Sequence, residues 1–286
     1  MKFYLLALVA FGEIRADSNI DANQAFAWGE NIGWTHWRPT ASTGADIGEF
    51  VCAGFIYGAN VGWINLGSGR PATGIYYRND SAADFGVNHD QQGRLWGFAY
   101  GANIGWINFE TNGAPRIDLQ TGKLSGFAYG ANVGWINLGD SNFSVRADSI
   151  HSGADSDKDG MADAWERIHA GDLATFTKDS DTDLDGAPDW QEYIADTNPR
   201  DPSDYLRITS YSATPFGTLS HVAWNSRISR QYRVLTRLEL SPSTPWVSES
   251  PGLLKGNGGL LSVTLTNLLG TSQSFIQIEA ARPLAR

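Results

Sequence analysis

The sequence holds one cysteine, Cys52, in 286 residues. Intramolecular disulfides are therefore excluded, and stability has to come from buried apolar surface or bound metal. Basic residues are scarce: 21 Lys and Arg stand against 31 Asp and Glu, a formal net charge of −10. That excludes the basic footprint a nucleic-acid partner requires. Long apolar runs are missing too. Phe3 to Phe11 is far short of the roughly 20 residues of a spanning helix, and Glu13 and Arg15 follow it. The five histidines, His36, His89, His151, His169 and His221, have no metal-ligand spacing. There is no Gly-x-Ser-x-Gly elbow, Walker loop or zinc helix, so no enzyme class is indicated. His89-Asp90, in "GVNHDQQG", reads as a turn.

What the N-terminus does have is Lys2, the short apolar run and Ile14-Arg15-Ala16, in the order of a secretory signal over residues 1–16. Acid is unevenly spread. Residues 150–204 carry 15 Asp and Glu against 4 Lys and Arg, whereas 205–286 carry 3 against 8. The shift marks a boundary near Tyr205.

One motif is written four times: "AFAWGENIGW", "GFIYGANVGWINLG", "GFAYGANIGWINFE" and "GFAYGANVGWINLG". Their tryptophans, Trp34, Trp63, Trp106 and Trp135, lie 29, 43 and 29 residues apart, a duplication nested in another. Period-two aromatics on both sides of Gly-Ala-Asn predict a β-hairpin turning near Asn31, Asn60, Asn103 and Asn132. "RIDLQTGKLSGF" adds a strand with its turn at Thr121-Gly122. The repeat domain is placed at 17–149. Its Gly-Ala-Gly strand face is nearly flat, so the indoles are expected to pack across it in equivalent places. Cys52 takes a slot filled by Leu95 and Leu124 in other copies, and is expected to be a buried small hydrophobe.

Trp63 and Asn65, Trp106 and Asn108, and Trp135 and Asn137 point the same way along their strands. An aromatic plate beside an amide suits a sugar. The simpler expectation is that the indoles hold the repeats together while the amides bond backbone. "GFAYGANVGWINLG" resembles repeats of secreted and cell-surface proteins of environmental bacteria, a resemblance that implies location and no chemistry.

Residues 150–204 contain "DSDKDGMADAWE" and "DTDLDGAPDWQE". Counted from the first Asp, positions 1, 3, 5, 9 and 12 are Asp155, Asp157, Asp159, Asp163 and Glu166. In the second copy they are Asp181, Asp183, Asp185, Asp189 and Glu192. Position 6 is Gly160 or Gly186, and position 7, which offers its carbonyl, is Met161 or Ala187. This is the twelve-residue calcium loop, and only a dication makes such alternating carboxylates tolerable. Two Ca²⁺ sites are expected. Short helices are predicted after the loops and none before. In this the segment resembles thrombospondin type 3-like calcium repeats of bacterial secreted proteins and, more distantly, dockerin repeats. With few apolar residues of its own, it is expected to be a metal-stiffened spacer.

Residues 205–286 offer six or seven short alternating strands, a β-sandwich pattern that resembles fibronectin type III-like modules. Trp224 and Tyr232 are candidate core residues, and Arg227, Arg230, Arg233 and Arg237 a candidate basic strip. The fold class is therefore mainly β: a repeat-built antiparallel domain, a short loop–helix calcium segment and a C-terminal β-sandwich. The function expected is a non-catalytic, calcium-binding structural or adhesion protein, secreted or at a bacterial cell surface. Its partners would be cell-wall or extracellular polysaccharide, or other surface proteins. The alternative is a lectin-like module using the Trp/Asn ledges, and a hydrolase accessory or an unrecognised hydrolase is a third.

Overall fold

The computed structural model describes residues 18–286, apart from 111, 215–218, 240, 250, 251, 267–274 and 286. The expected signal, residues 1–16, lies outside the described residues. The chain is mainly antiparallel β. Its first half contains β1 (Ile20–Gly29), β2 (Gly33–His36), β3 (Ala45–Ile47), β4 (Cys52–Gly58), β5 (Gly62–Ser68), β6 (Val87–His89), β7 (Leu95–Gly101), β8 (Gly105–Asn108), β9 (Arg116–Ile117), β10 (Leu124–Gly130), β11 (Gly134–Gly139) and β12 (Val145–Ala147). Then come α1 (Asp163–His169) and α2 (Asp189–Ala195). The last part contains β13 (Ile208–Ala213), β14 (Leu219–Asn225), β15 (Gln231–Arg237), β16 (Val247–Ser248), β17 (Leu254–Lys255), β18 (Leu260–Thr266) and β19 (Phe275–Ala281).

The repeats close into a barrel. Strands run in the order β11-β1-β2-β4-β5-β7-β8-β10, and β10 pairs back to β11. Each motif supplies one hairpin: β1–β2, β4–β5, β7–β8 and β10–β11. Below the hairpin, each first strand runs on to pair with a short strand: β12, β3, β6 or β9. Four copies thus give a quasi-fourfold cylinder without open edges among the barrel strands, which removes the edge-pairing hazard of a sheet.

The motif's odd residues each have a place in this closure. Each hairpin has a three-residue loop, and Gly33, Gly62, Gly105 and Gly134 restart the chain at φ +75 to +79°. Only glycine takes that conformation freely. Gly29, Gly58, Gly101 and Gly130 end the first strands. A Cβ there would sit 2.6–2.7 Å from Ile32, Val61, Ile104 or Val133. Those four side chains turn inward and plug the barrel mouth. The turn asparagines tie neighbours together in a ring: Asn60 Nδ2 donates to the Ile32 carbonyl at 3.0 Å, Asn103 to Val61 at 3.1 Å, Asn132 to Ile104 at 3.0 Å, and Asn31 to Val133 at 3.2 Å.

The interior is largely aliphatic, with Trp37 and Phe109 as its rings. Ile56, Ile64, Leu66, Ala99, Ile107, Ala128, Ile136 and Leu138 fill it, and Cys52 shares the buried level of Leu95 and Leu124. Burial pushes the Cys52 thiol far up, so it stays protonated. The first copy compensates within itself: Thr35 stands where the other copies have Ile64, Ile107 and Ile136, and the larger Trp37 where they have Leu66, Phe109 and Leu138.

The C-terminal part is two small sheets, β13-β14-β18 and β16-β15-β17 with β19 on β15. Trp224 and Tyr232 are buried between them. The expected basic strip does not form. Arg227 pairs with Asp204, Arg233 with Glu279, and Arg237 lies over Trp246. Arg230 is fully buried. It points at the C-terminal end of α2, because the carbonyls of Tyr193 and Ile194 and the carboxylate of Glu49 converge there. Among the described residues no helix is long and apolar enough to cross a membrane.

Candidate metal sites and the outer aromatic rows

The two acidic loops have the same conformation, residue for residue. Position 4 is left-handed in both (Lys158 φ 65°, Leu184 φ 66°), and so is the position 6 glycine (Gly160 φ 99°, Gly186 φ 96°). Gly160 N–H donates to Asp155 at 3.1 Å and Gly186 N–H to Asp181 at 3.0 Å. Met161 N–H donates to Asp159 and Ala187 N–H to Asp185. These bonds curl each loop until Asp155, Asp157 and Asp159, and likewise Asp181, Asp183 and Asp185, bring one carboxylate oxygen each within 4.8 Å of the others. Such a group can hold a cation. Asp179 is exposed.

The position 12 glutamates are the informative members. Glu166 and Glu192 are 0% and 1% exposed. Both Glu166 oxygens lack a hydrogen-bond partner, as does Glu192 Oε2, while Glu192 Oε1 accepts from Thr197. Desolvation first, then the neighbouring aspartates, pushes each carboxyl up to about 8. One oxygen each of Asp159, Asp183 and Asp185 is buried and unpaired as well. A buried carboxylate without a partner is costly. An oxygen-seeking dication among these side chains would satisfy all of them.

Position 9 behaves differently. Asp163 accepts from the Ser156 N–H and hydroxyl, both at 2.6 Å. Asp189 accepts from the Thr182 N–H and hydroxyl and from the Ser180 hydroxyl. These carboxylates pin the loop start to the exiting helix, so their place in the structure is that of loop clasps. Met161 and Ala187 follow the glycines, with the Met161 side chain buried beneath the loop.

α1 and α2 each begin at position 9, which puts positions 9 and 12 one helical turn apart. Among the described residues no helix leads directly into either loop. The segment has more apolar substance than its sequence promises. Trp165, Phe176 and Tyr193 form a cluster that is completed by Phe50 and Tyr76 from barrel loops. Behind it lies a buried ionic joint: Glu49 of the barrel meets Arg230 at 3.0 Å and Arg282 at 3.5 Å. The residues after Glu192 hold the other side of Arg230. The segment is thus wedged between barrel and sandwich rather than strung between them as a spacer.

The indoles also differ from expectation. Trp34, Trp63, Trp106 and Trp135 are 44–48% exposed on the outside of the barrel. The Gly-Ala-Gly face looks inward instead, because an eight-stranded barrel has room inside for Ala, Ile and Leu but not for four indoles. Each indole packs at a steep tilt, 59–65° between ring planes, against the aromatic facing it across its hairpin, Trp28, Tyr57, Tyr100 or Tyr129, with centroids 4.9–5.0 Å apart.

Sheet register then organises the outer wall into four rows, each crossing four strands. Trp106, Tyr100, Asn65 and Phe55 make one; Trp135, Tyr129, Asn108 and Phe98 the next. Trp34, Trp28, Asn137 and Phe127 make the third, and Trp63, Tyr57, His36 and Phe26 the fourth. So Trp63 and Asn65 share the outer face, but the amide completing a row, or His36 in the fourth, belongs to the neighbouring copy. Asn65, Asn108 and Asn137 accept from the N–H two residues on. Two rows gain a perpendicular wall: Phe143 stands 5.0 Å from Trp34 and Phe85 5.0 Å from Trp106. These walls come from loops outside the repeat, so no periodicity announces them.

His89 is buried at the end of β6, with Nδ1 on the Gly48 carbonyl and Nε2 accepting from the Gly93 N–H. Asp90 accepts from the Gln92 and Arg94 N–H groups. No family model, curated protein or solved structure matches this chain.

Proposed function

We propose that the chain binds two Ca²⁺ ions, one per acidic loop, and serves as a calcium-braced, non-catalytic structural or adhesion module of a secreted or cell-surface kind. The observation that carries the metal reading is the pair of buried glutamates, Glu166 and Glu192, three of whose four carboxylate oxygens lack partners beside clustered aspartates in both loops. Asp155, Asp157, Asp159 and Glu166 would hold one ion, and Asp181, Asp183, Asp185 and Glu192 the other, with the Met161 and Ala187 carbonyls as further oxygens. Calcium is favoured over magnesium because many protein carboxylates around a flexible loop suit the larger ion, while Mg²⁺ keeps its water. The structural role rests on the wedge position of the segment. An ion at Glu192 would stiffen the helix whose C-terminal residues grip Arg230. A chain without disulfides gains from such a brace outside the cell.

The test is calorimetric titration of chelator-treated protein with CaCl₂ and, separately, MgCl₂, with elemental analysis after dialysis. Two Ca²⁺ per chain and little response to Mg²⁺ are expected. Failure to retain any divalent metal, with an unchanged unfolding temperature, would sink the reading.

A further inference from the structure

Four equivalent rows of half-exposed aromatics remain without a role in holding the fold together. They lie on all four sides of a convex cylinder, and every indole is similarly open. The eight barrel strands carry a single charged side chain, Asp21. This is unusual in a chain of net charge −10. A charged polymer or a lipid headgroup finds no countercharge there. A second copy of the chain meeting this one about a two-fold axis would cover one row and leave three open.

We propose that these rows are binding ledges for an uncharged polysaccharide. The warrants are chemical. Neighbouring strands are about 4.8 Å apart. The rows of Trp106, Tyr100 and Asn65 and of Trp135, Tyr129 and Asn108 therefore set an indole, a phenol and an amide at intervals comparable with a monosaccharide ring; the Trp34 row has Trp28 in place of the phenol, and the Trp63 row has His36 in place of the amide. Pyranose C–H faces stack on aromatic faces, and hydroxyls need an amide. Asn65 and Asn108 have Oδ1 fixed by a backbone N–H, and among the described residues their Nδ2 groups have no partner. Each keeps a donor for a hydroxyl. The Phe143 and Phe85 walls turn two of the rows from ledges into open corners. Four copies match a repeating polymer, for which weak ledges sum through effective concentration. The inference is independent of the metal reading, since no row touches an acidic loop.

The experiment is affinity electrophoresis of the full chain in calcium buffer, through gels containing hydroxyethylcellulose, galactomannan or xylan. Alginate gels and phosphatidylglycerol vesicles are the charged arms. At least one neutral polymer should retard the protein. Trp106→Ala should weaken binding about two- to tenfold, the range of one aromatic contact. The quadruple change Trp34→Ala, Trp63→Ala, Trp106→Ala, Trp135→Ala should abolish it. Far-UV circular dichroism checks the fold; if the quadruple chain does not fold, the four single variants, each read against wild type, decide. Binding should survive Glu166→Gln with Glu192→Gln. The proposal is overturned if no neutral polymer retards the chain, or if the variants bind like wild type. It is overturned equally if only alginate or vesicles bind, or if the indoles prove to mediate dimerisation alone.

Discussion

The metal reading makes an unusual demand: a substitution that destroys the binding site should stabilise the metal-free protein. Glu166 and Glu192 are held at about 8, against 4.5 for the free side chain. A group whose carboxyl titrates higher in the folded state binds more protons there than in the unfolded chain. Metal-free stability therefore falls as pH rises from about 4.5 to about 8, and stays low above that. Three to four pH units at about 1.4 kcal/mol each give roughly 4–5 kcal/mol per site. The aspartate side of each loop is open to water, which cuts the realistic figure to about 2 kcal/mol. Glu192→Gln removes the buried charge and keeps the shape. At pH 8.5 in chelator it should unfold about 4–8 °C above wild type, at the 2–4 °C per kcal/mol usual for chains of this size.

Calcium should reverse the order. At a hundredfold excess over its dissociation constant, each ion adds about 2.7 kcal/mol. Wild type should therefore gain from two sites and Glu192→Gln from one. Differential scanning calorimetry of wild type, Glu166→Gln, Glu192→Gln and the double variant, with and without calcium at pH 8.5 and 5, tests the crossing. At pH 5 the gain from calcium should shrink, because protons compete for the same oxygens. If Glu192→Gln is less stable than wild type in chelator, or keeps the full response to calcium, the assignment of Glu192 is wrong.

Three further outcomes follow from the packing. Gly58→Ala places a Cβ 2.6 Å from Val61 Cγ2, so urea unfolding should show a loss of about 1–3 kcal/mol, partly restored by Val61→Ala. Arg230→Met leaves Glu49 facing only Arg282; removing one partner of a buried pair should cost about 3–5 kcal/mol and separate sandwich from barrel unfolding in calorimetry. His151 Nδ1 lies 2.7 Å from Asp46, whose hydrogen bond and charge raise its pKa. Its contribution to stability is complete below about 6.5 and is lost as pH rises through the higher folded value. An NMR titration should place His151 above 6.5, and Asp46→Asn should bring it down.

The hairpin turns at Asn31, Asn60, Asn103 and Asn132 were legible because Gly and Asn there are demanded by local backbone geometry. Both acidic loops were legible for the same reason: glycine at six and glutamate at twelve answer to a contact within twelve residues. Closure was not legible, since the same four hairpins can be written into a propeller or an open sheet. What decides is the pairing of β1 with β11, between residues more than a hundred apart. The position 9 aspartates have a second part that spacing does not announce: Asp163 accepts from the hydroxyl of Ser156, and Asp189 from those of Thr182 and Ser180, residues next to the first Asp of each loop.

The tryptophans show how the choice of face escapes sequence. In "GFAYGANVGWINLG" either alternate set is apolar, because Gly, Ala and Ile occupy one and Phe, Tyr and Trp the other. Hydrophobicity favours burying the second set. Volume reverses that order, since four copies of each set must share one narrow cylinder, and only the smaller set, in which Trp37 and Phe109 are the rings, fits within it. The large rings are left outside four times over, and the copy number that forces them there also makes them a repeating surface. A single hairpin of this sequence, free of its neighbours, would have reason to bury its indole. It is the fourfold closure that turns a core residue type into an exposed one.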